Sequence, residues 1–347
     1  AGFGDALKGF SGKRVAADPE RAVAAIFDSL DEGGAKILSV RDPVVLAKAL
    51  KNPAEIAGHK AAQNRDGAAI VRFLRWVSET APKGGLTELD CVAKLKAFRE
   101  ETGLLKDTSF DTISGAGAHG ASPHYRVDEA SNAELKPGEL YLVDSGGQYE
   151  DGTTDITRVL PIGEPTTEMR DRLTRVLKGH IAIDVAQWPE GITGGQLDSF
   201  ARRPLWEVGL DYAHGTGHGV GAFLSVHEGP QRISPPTVTG SGHAEVLRAG
   251  MICSNEPGYY KAGEYGIRIE NLVLIVERTL DNGNKVLGFD TLTWAPIERD
   301  LIDASLLTDD ELKWLNTYHA RVIENIGPLL EGEDKAWLEK KCAVIAR

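Results

Sequence analysis

Apolar residues recur along this chain with two periods, and stretches of each period alternate. In "AIVRFLRWV", Ile70, Phe73, Leu74 and Val77 fall at i, i+3, i+4 and i+7, one face of a helix. The pattern predicts a long helix from Asn52 to about Thr80, which "PKGG" breaks. A second helix is expected in "TELDCVAKLKAFREE", opened by Thr87 three residues before Asp90, a capping-box spacing. Through "SFDTISG" and "ELYLVDSGGQYEDGTTDITRVL" the period changes to two, which predicts strands. Helices return in "PTTEMRDRLTRVLKGHIAIDVAQW" and "GGQLDSFARRPLWEVG", and strands follow from Tyr212 to about Glu277. "LTDDELKWLNTYHARVIENIGPLL" closes the domain as a C-terminal helical segment. The order helix, helix, strands thus occurs twice, and two similar halves sharing one sheet are expected.

Residues 1–52 read differently, as a helix ("DPERAVAAIFDSLDE"), a short strand ("AKILSV") and another helix ("PVVLAKALK"). About fifty residues cannot bury a sufficient core alone. They are expected to be the end of a non-catalytic α/β domain whose beginning is missing, with residues 53–347 as the main domain. An N-terminus that lacks an initiator Met fits a fragment or a processed product.

Composition narrows the picture by exclusion. A net charge of -12, with no cluster of lysines and arginines, argues against a nucleic-acid partner. No apolar stretch approaches the roughly 18 residues needed to span a membrane, and no signal peptide is present. Cys91, Cys253 and Cys342 are too few and too scattered for a disulfide framework or a zinc knuckle. Idle thiols in a reducing cytoplasm are the expectation.

"HGTGHGVGAFLSVHEG" gathers His214, His218 and His227 around four alternating glycines. In a helix interior each glycine would cost about 1 kcal/mol relative to alanine. An extended strand instead puts residues 214, 216, 218 and 220 on one face and the glycines on the other, where another backbone can approach. A strand is therefore expected here, carrying imidazoles on one side. Two neighbouring motifs are decoys. "GAGAHG" fits G-x-G-x-x-G, but the proline-containing "ASPHYRVDEASNAELKPGE" that follows cannot supply the helix that pyrophosphate needs. "VHEGPQ" begins like H-E-x-x-H but has Gln231 where the second histidine belongs.

The acids are more informative. Asp144 ends an apolar strand and Asp155 begins the next, on facing strands of an expected hairpin. In the second half "MICSNEPGYY" places Glu256 at a strand end, and "YGIRIENLVLIVE" places Glu270 inside an apolar strand. Turn caps would account for the aspartates. Arg268, two residues from Glu270 on the same face, could pair with it, but one arginine cannot satisfy four acids. If the four carboxylates and His218 converge, neighbouring charges repel by roughly 4 kcal/mol per pair at an effective dielectric of 20. Two divalent ions would neutralise them, and oxygen-rich ligands with one imidazole suit Mn²⁺, Co²⁺ or Zn²⁺. Paired ions can hold a bridging hydroxide and polarise a carbonyl, the parts needed for hydrolysis.

The order Asp, Asp, His, Glu, Glu, carried by "VDSGGQYEDGTTDITR", "HGTGHGVGAFLSVHEGP", "SNEPGYY" and "GIRIEN", resembles aminopeptidase P, the Xaa-Pro aminopeptidases. These group with prolidase, creatinase and methionine aminopeptidase in the pita-bread superfamily. The resemblance covers roughly residues 53–347 and implies an α+β pita-bread fold with two pseudo-symmetric halves around a curved antiparallel sheet. It implies Asp144 as a chelating ligand, Asp155 and Glu270 as bridging ligands, and His218 and Glu256 as completing the second ion, with Mn²⁺ the usual metal. His124, His214 and His227 are implied to face the substrate, and Arg268 is counted with them as a substrate-binding side chain. The expected activity releases an N-terminal residue when proline follows it: the hydroxide attacks, Glu256 handles the proton and His227 stabilises the oxyanion. A cytoplasmic enzyme, homodimeric in its full length, is expected. Prolidase, which cuts Xaa-Pro dipeptides, and a non-catalytic binding protein on the same scaffold are the alternatives. His59, His119, His180, His243 and His319 match no motif position and are expected to be core or surface histidines.

Overall fold

The structure is a computed structural model that describes residues 2–236 and 242–347. It divides into two units, Ala1–Lys48 and Ala49–Arg347. The smaller unit contains α1 (Gly2–Lys8), β1 (Arg14–Ala17), α2 (Ala24–Glu32) and β2 (Lys36–Ser39), and α3 (Val44–Ala49) begins in it. β1 and β2 pair in parallel, with α2 supplying the crossover that a parallel pair requires. The helix expected from Asp18 starts only at Ala24. Asp18 is spent on a turn, where its carboxylate accepts from the Glu20 and Asp42 amides at 2.9 and 2.8 Å.

The larger unit opens with α4 (Pro53–Thr80). Asn52 caps it through a capping box with Glu55, and Pro53 takes the first turn, where its missing N–H costs nothing. Ile70, Phe73, Leu74 and Val77 are all buried, as their spacing requires. α5 (Glu88–Glu100) is capped by Thr87 and Asp90. Six strands follow: β3 (Asp107–Thr108), β4 (Ile113–Ala116), β5 (Leu140–Ser145), β6 (Gly147–Tyr149), β7 (Gly152–Thr153) and β8 (Ile156–Pro161). "GAGAHG" leads from β4 into a 3-10 turn, Gly117–Ala121, and no α-helix follows it.

The second half repeats this order. α6 (Thr167–Asp184), β9 (Gln187–Trp188) and α7 (Gly194–Trp206) precede β10 (Gly217–His218), β11 (Arg232–Ile233) and β12 (Ile252–Asn255). β13 (Gly258–Lys261), β14 (Tyr265–Arg268), β15 (Asn271–Thr279) and β16 (Lys285–Thr291) come next, then α8 (Asp309–Ile326) and α9 (Gly332–Lys341).

Strand pairing in the larger unit is antiparallel, in the ladders β4-β5-β8, β3-β6-β7 and β12-β15-β16-β9 and the pairs β13-β14 and β10-β11. β5 explains its own sequence. Leu140 and Leu142 enter a core with Leu173, Val176 and Leu177 of α6, while Tyr141 and Val143 enter another with Ile70, Phe73 and Leu74 of α4. Both faces are buried, so the run is continuously apolar until Asp144. The 3-10 turn of the first half lies directly on β14 of the second. A Cβ on Gly266 would overlap the Gly120 carbonyl oxygen, so only glycine permits this approach.

Candidate metal centre and active site

Asp144 is the fifth residue of β5, opposite Thr157 of β8 and Ile113 of β4. Asp155 immediately precedes β8, so the two aspartates stand at the mouth of one hairpin whose tip is β6 and β7. Glu256 follows β12 directly. Glu270 was expected inside a continuous strand, but the strand breaks at Ile269 and Glu270, between β14 and β15. There the Glu270 amide donates to the Thr157 carbonyl at 3.2 Å, which ties the break to β8 of the first half.

The glycine-rich segment runs differently from its expectation as well. Of residues 214–220 only Gly217 and His218 form a strand, paired with Ile233 and Arg232, and Gly219 adds one bridge to Cys253. Glycine is nonetheless needed on the back: a Cβ on Gly217 would overlap the Ser254 carbonyl oxygen, and one on Gly219 that of Glu228. This close approach presses His218 towards the acids. Its Nε2 lies 3.4 Å from Asp155 Oδ2 and 3.5 Å from Glu256 Oε1.

Ligand-type atoms of Asp155, His218 and Glu270 all lie within 4.8 Å of one another, and all three residues are buried. Asp144, Glu256, His124, His214, His227 and Arg268 line the same cavity of about 360 Å³, with Phe110, Ile113, Pro123 and Val226 as its apolar wall. All nine candidate residues therefore meet at one place.

The electrostatics of the carboxylates are unbalanced. Burial, followed by the charges of Asp144 and Glu256, pushes Asp155 well above the usual carboxylate range. Burial and the charges of Asp155 and Asp144 do the same to Glu270. Asp144 is raised by burial although the Arg268 guanidinium opposes the shift. Glu256 is the exception: burial would raise it, but His218, His214, Arg268 and a hydrogen bond from Ser254 hold it below its ordinary value.

This donor set fits divalent cations. His218 Nδ1 is 3.0 Å from the Gly219 carbonyl oxygen, to which it can only donate, so the Nε2 lone pair faces the acids. Asp144 Oδ1 and Asp155 Oδ1 are buried with no hydrogen-bond partner among the described residues. Oriented imidazole, orphaned carboxylate oxygens and surplus negative charge are what a bound cation would satisfy.

Arg268 does not pair directly with Glu270. Its Nη2 donates to Asp144 Oδ2 at 2.6 Å, and its Nε donates to the Thr157 hydroxyl, which in turn donates to Glu270 Oε2 at 2.7 Å. Its Nη1 donates to the Tyr260 hydroxyl, leaving that hydroxyl's proton for His214 Nε2 at 2.7 Å. His214 Nδ1 then donates to the Gly215 carbonyl. Burial, with Arg268 adding to it against the pull of Glu256, brings His214 down to about 4, so its ring is neutral near pH 7. His227 is exposed at the cavity rim with its ring centroid 4.2 Å from that of His218. The cavity walls still desolvate it and His218 adds to the effect, bringing it down to about 4.

Thr157, Ser254 and Tyr260 were not singled out in the sequence. The period of two could have found the first two, since Thr157 lies two residues after Asp155 and Ser254 two before Glu256. Nothing in the sequence marks Tyr260. Of the histidines outside the motifs, His59, His180 and His319 are fully buried, and His119 accompanies the buried Glu88 at 2.9 Å.

Residues 57–277 match metallopeptidase family M24, and residues 285–345 match the C-terminal region of peptidase M24. Over 330 residues the chain is 48% identical to a probable Xaa-Pro aminopeptidase P of Laccaria bicolor, covering 93% of this chain and 51% of that protein. It thus spans about half the length of the curated relatives it matches. The crystal structure of X-prolyl aminopeptidase from Caenorhabditis elegans, described as a cytosolic enzyme with a di-nuclear active site, is similar with a TM-score of 0.87 at 38% identity, over 96% of this chain and 54% of that one. Prolidase from Pyrococcus furiosus gives a TM-score of 0.70 at 26% identity, over 84% and 79% of the two chains.

Proposed function

The chain belongs to metallopeptidase family M24, and from that premise we propose that it is the catalytic part of an aminopeptidase that releases the N-terminal residue of peptides with proline in second position. The observation that carries this reading is the convergence of Asp155, His218 and Glu270 from the two halves, with the His218 lone pair aimed at the acids. Asp144 and Glu256 complete the set, and these five residues would hold two divalent cations, manganese in the first instance. Bound there, the cations supply Lewis-acid polarisation of the scissile carbonyl and activation of the attacking water.

The chain's own groups do the rest. Glu256, held ionised and mostly buried with its side chain 17% exposed, accepts the proton at its carboxylate and returns it to the leaving amine. His227, neutral and at the rim, donates a hydrogen bond to the oxyanion as charge develops. His124 and His214 contact the substrate. Arg268 works at one remove, fixing Asp144 and, through Tyr260, the His214 ring. The apolar wall formed by Phe110, Ile113, Pro123 and Val226 offers a surface for the proline ring.

Homodimerisation of the whole protein and a cytoplasmic location belong to the same reading, the latter supported by the description of the nematode enzyme. No helix among the described residues is long and apolar enough to cross a membrane. The deciding experiment compares release of the first residue from an Xaa-Pro-Xaa tripeptide and from an Xaa-Pro dipeptide, both with Mn²⁺. Cleavage of the dipeptide alone would replace this reading by a prolidase.

A further inference from the structure

The residues just before His227 have an unusual backbone. Leu224 and Ser225 have φ of 59° and 48°, two consecutive left-handed positions that L side chains rarely adopt. Burial does not hold them there, because Phe223 and Leu224 are about half exposed, at 50% and 56%. Within the segment, the Gly221 amide donates to the Ser225 carbonyl at 3.0 Å and closes the turn. The remaining tether comes from the other half of the molecule, from the hairpin between the two aspartates.

Gln148 of β6, 2% exposed, uses both ends of its amide. Its Nε2 donates to the Tyr149 carbonyl at 2.9 Å, and its Oε1 accepts from the Leu224 amide at 3.0 Å. The hydroxyl of Thr153 on β7 lies 2.9 Å from Gln148 Oε1 and 3.3 Å from the Leu224 carbonyl oxygen. The Thr153 carbonyl in turn accepts from Gln63 of α4, whose Oε1 accepts from Thr293. A buried polar chain thus runs from the helical layer to the strained turn, and the next two residues, Val226 and His227, line the cavity.

We propose that Gln148 is a positioning residue for His227, acting through the strained turn at residues 223–225. This rests on the reading of His227 as a group that meets the substrate. Gln148 touches neither substrate nor ligand; it fixes the turn from which His227 enters the cavity. Its Oε1 serves Thr153 within the hairpin as well, so one acceptor ties β7 and the Leu224 amide together.

The test uses the metal-loaded chain, an Xaa-Pro-Xaa tripeptide and the variant Gln148→Met, which keeps the volume and removes the amide. Metal content should be unchanged and KM should stay within about twofold, while kcat falls about tenfold, the size expected for one buried hydrogen bond. Hydrogen exchange at the Leu224 amide should accelerate. Adding Leu224→Gly and Ser225→Gly, which make the left-handed conformation easy, should recover most of the lost kcat. Thr153→Val should give the same split at smaller size, and it stands in if Gln148→Met does not fold. An unchanged kcat in Gln148→Met, or a loss that the two glycines do not relieve, overturns the proposal. A parent chain inactive on the tripeptide overturns the function proposed above instead. The tether is then judged by exchange at Leu224, which upholds it if accelerated and overturns it if not.

Discussion

Arg268 Nη2 stands 2.6 Å from Asp144 Oδ2, so one oxygen of this carboxylate is committed to a protein cation while the other has no hydrogen-bond partner among the described residues. Both side chains are buried. Arg268 is therefore the cluster's built-in counter-charge, and it competes with any bound ion for Asp144. In Arg268→Met the metal-free chain should lose about 3 kcal/mol of unfolding free energy, the low end for removing one partner of a buried pair. Mn²⁺ should then raise Tm by more in the variant than in the parent, since the ions replace the missing charge. An equal or smaller increment would remove Arg268 from that role.

Asp155 and Glu270 are the most strongly raised acids of the cluster, each held up by burial and its acidic neighbours. Two divalent ions relieve both causes. Elemental analysis of the reconstituted chain should find close to two equivalents of metal. Asp155→Ala should lose most of both, since Asp155 meets His218 at 3.4 Å and feels the charges of both Asp144 and Glu256. Retention of both ions in that variant sinks the bridging assignment.

His218 and His227 share an edge-to-face contact and yet should separate cleanly under mutation. His227→Ala should keep its metal and lose kcat by about 10²–10³-fold, as for other oxyanion donors, with KM much less affected. His218→Ala should lose metal and activity together. The simplest non-catalytic account pairs His227 with Glu228 at the surface, but Glu228 is buried and its carboxylate reaches Lys51 at 3.8 Å. Near-normal kcat in His227→Ala would restore that account.

Acid sensitivity should come from the buried histidines. Burial, with Arg158 and Arg299 adding to it, lowers His319 to about 4, and its Nε2 accepts from the Ile297 amide at 3.2 Å. The unfolded chain takes up this proton near pH 6.5 and the folded chain only near 4, so stability is complete above 6.5 and falls as the pH drops between those values. From pH 7 to pH 5 the loss from this one ring is about 2 kcal/mol. Urea denaturation of the parent and of His319→Gln at both pH values should show the parent losing that much more. Parallel losses in the two chains count against it.

Helix starts were legible where the cap is real, as at Asn52 with Glu55 and Thr87 with Asp90 for α4 and α5, but not at Asp18, whose carboxylate serves a turn instead. The acids drew attention because a charge in or at the end of an apolar strand needs a partner, but their assignment as ligands came from the family resemblance rather than from spacing. What escaped is held by long-range backbone contact. The course of residues 214–220 depends on the carbonyls of Ser254 and Glu228, and the break at Glu270 depends on Thr157, none of which local periodicity can reveal. Gln148 escaped for another reason. In "GGQYEDGTT" it looks like one more polar residue of a solvent-facing turn, and only the fold shows that it is buried against the opposite half.

The contact of Gly120 with Gly266 has a consequence for how the site tolerates change elsewhere. The turn that leads to His124 and the strand that ends in Arg268 meet main chain to main chain, with no side chain between them as a spacer. The spacing between turn and strand at that point is therefore a property of peptide units, whose dimensions do not vary from one sequence to another. Substitutions that loosen or repack the two apolar cores can drain stability while this dimension stays fixed. Conversely, one methyl group at position 266 would overlap the Gly120 carbonyl oxygen and press on the ring of Tyr260, the residue that links Arg268 to His214. The fold thus leaves room for drift in its cores and almost none at this seam between its two halves.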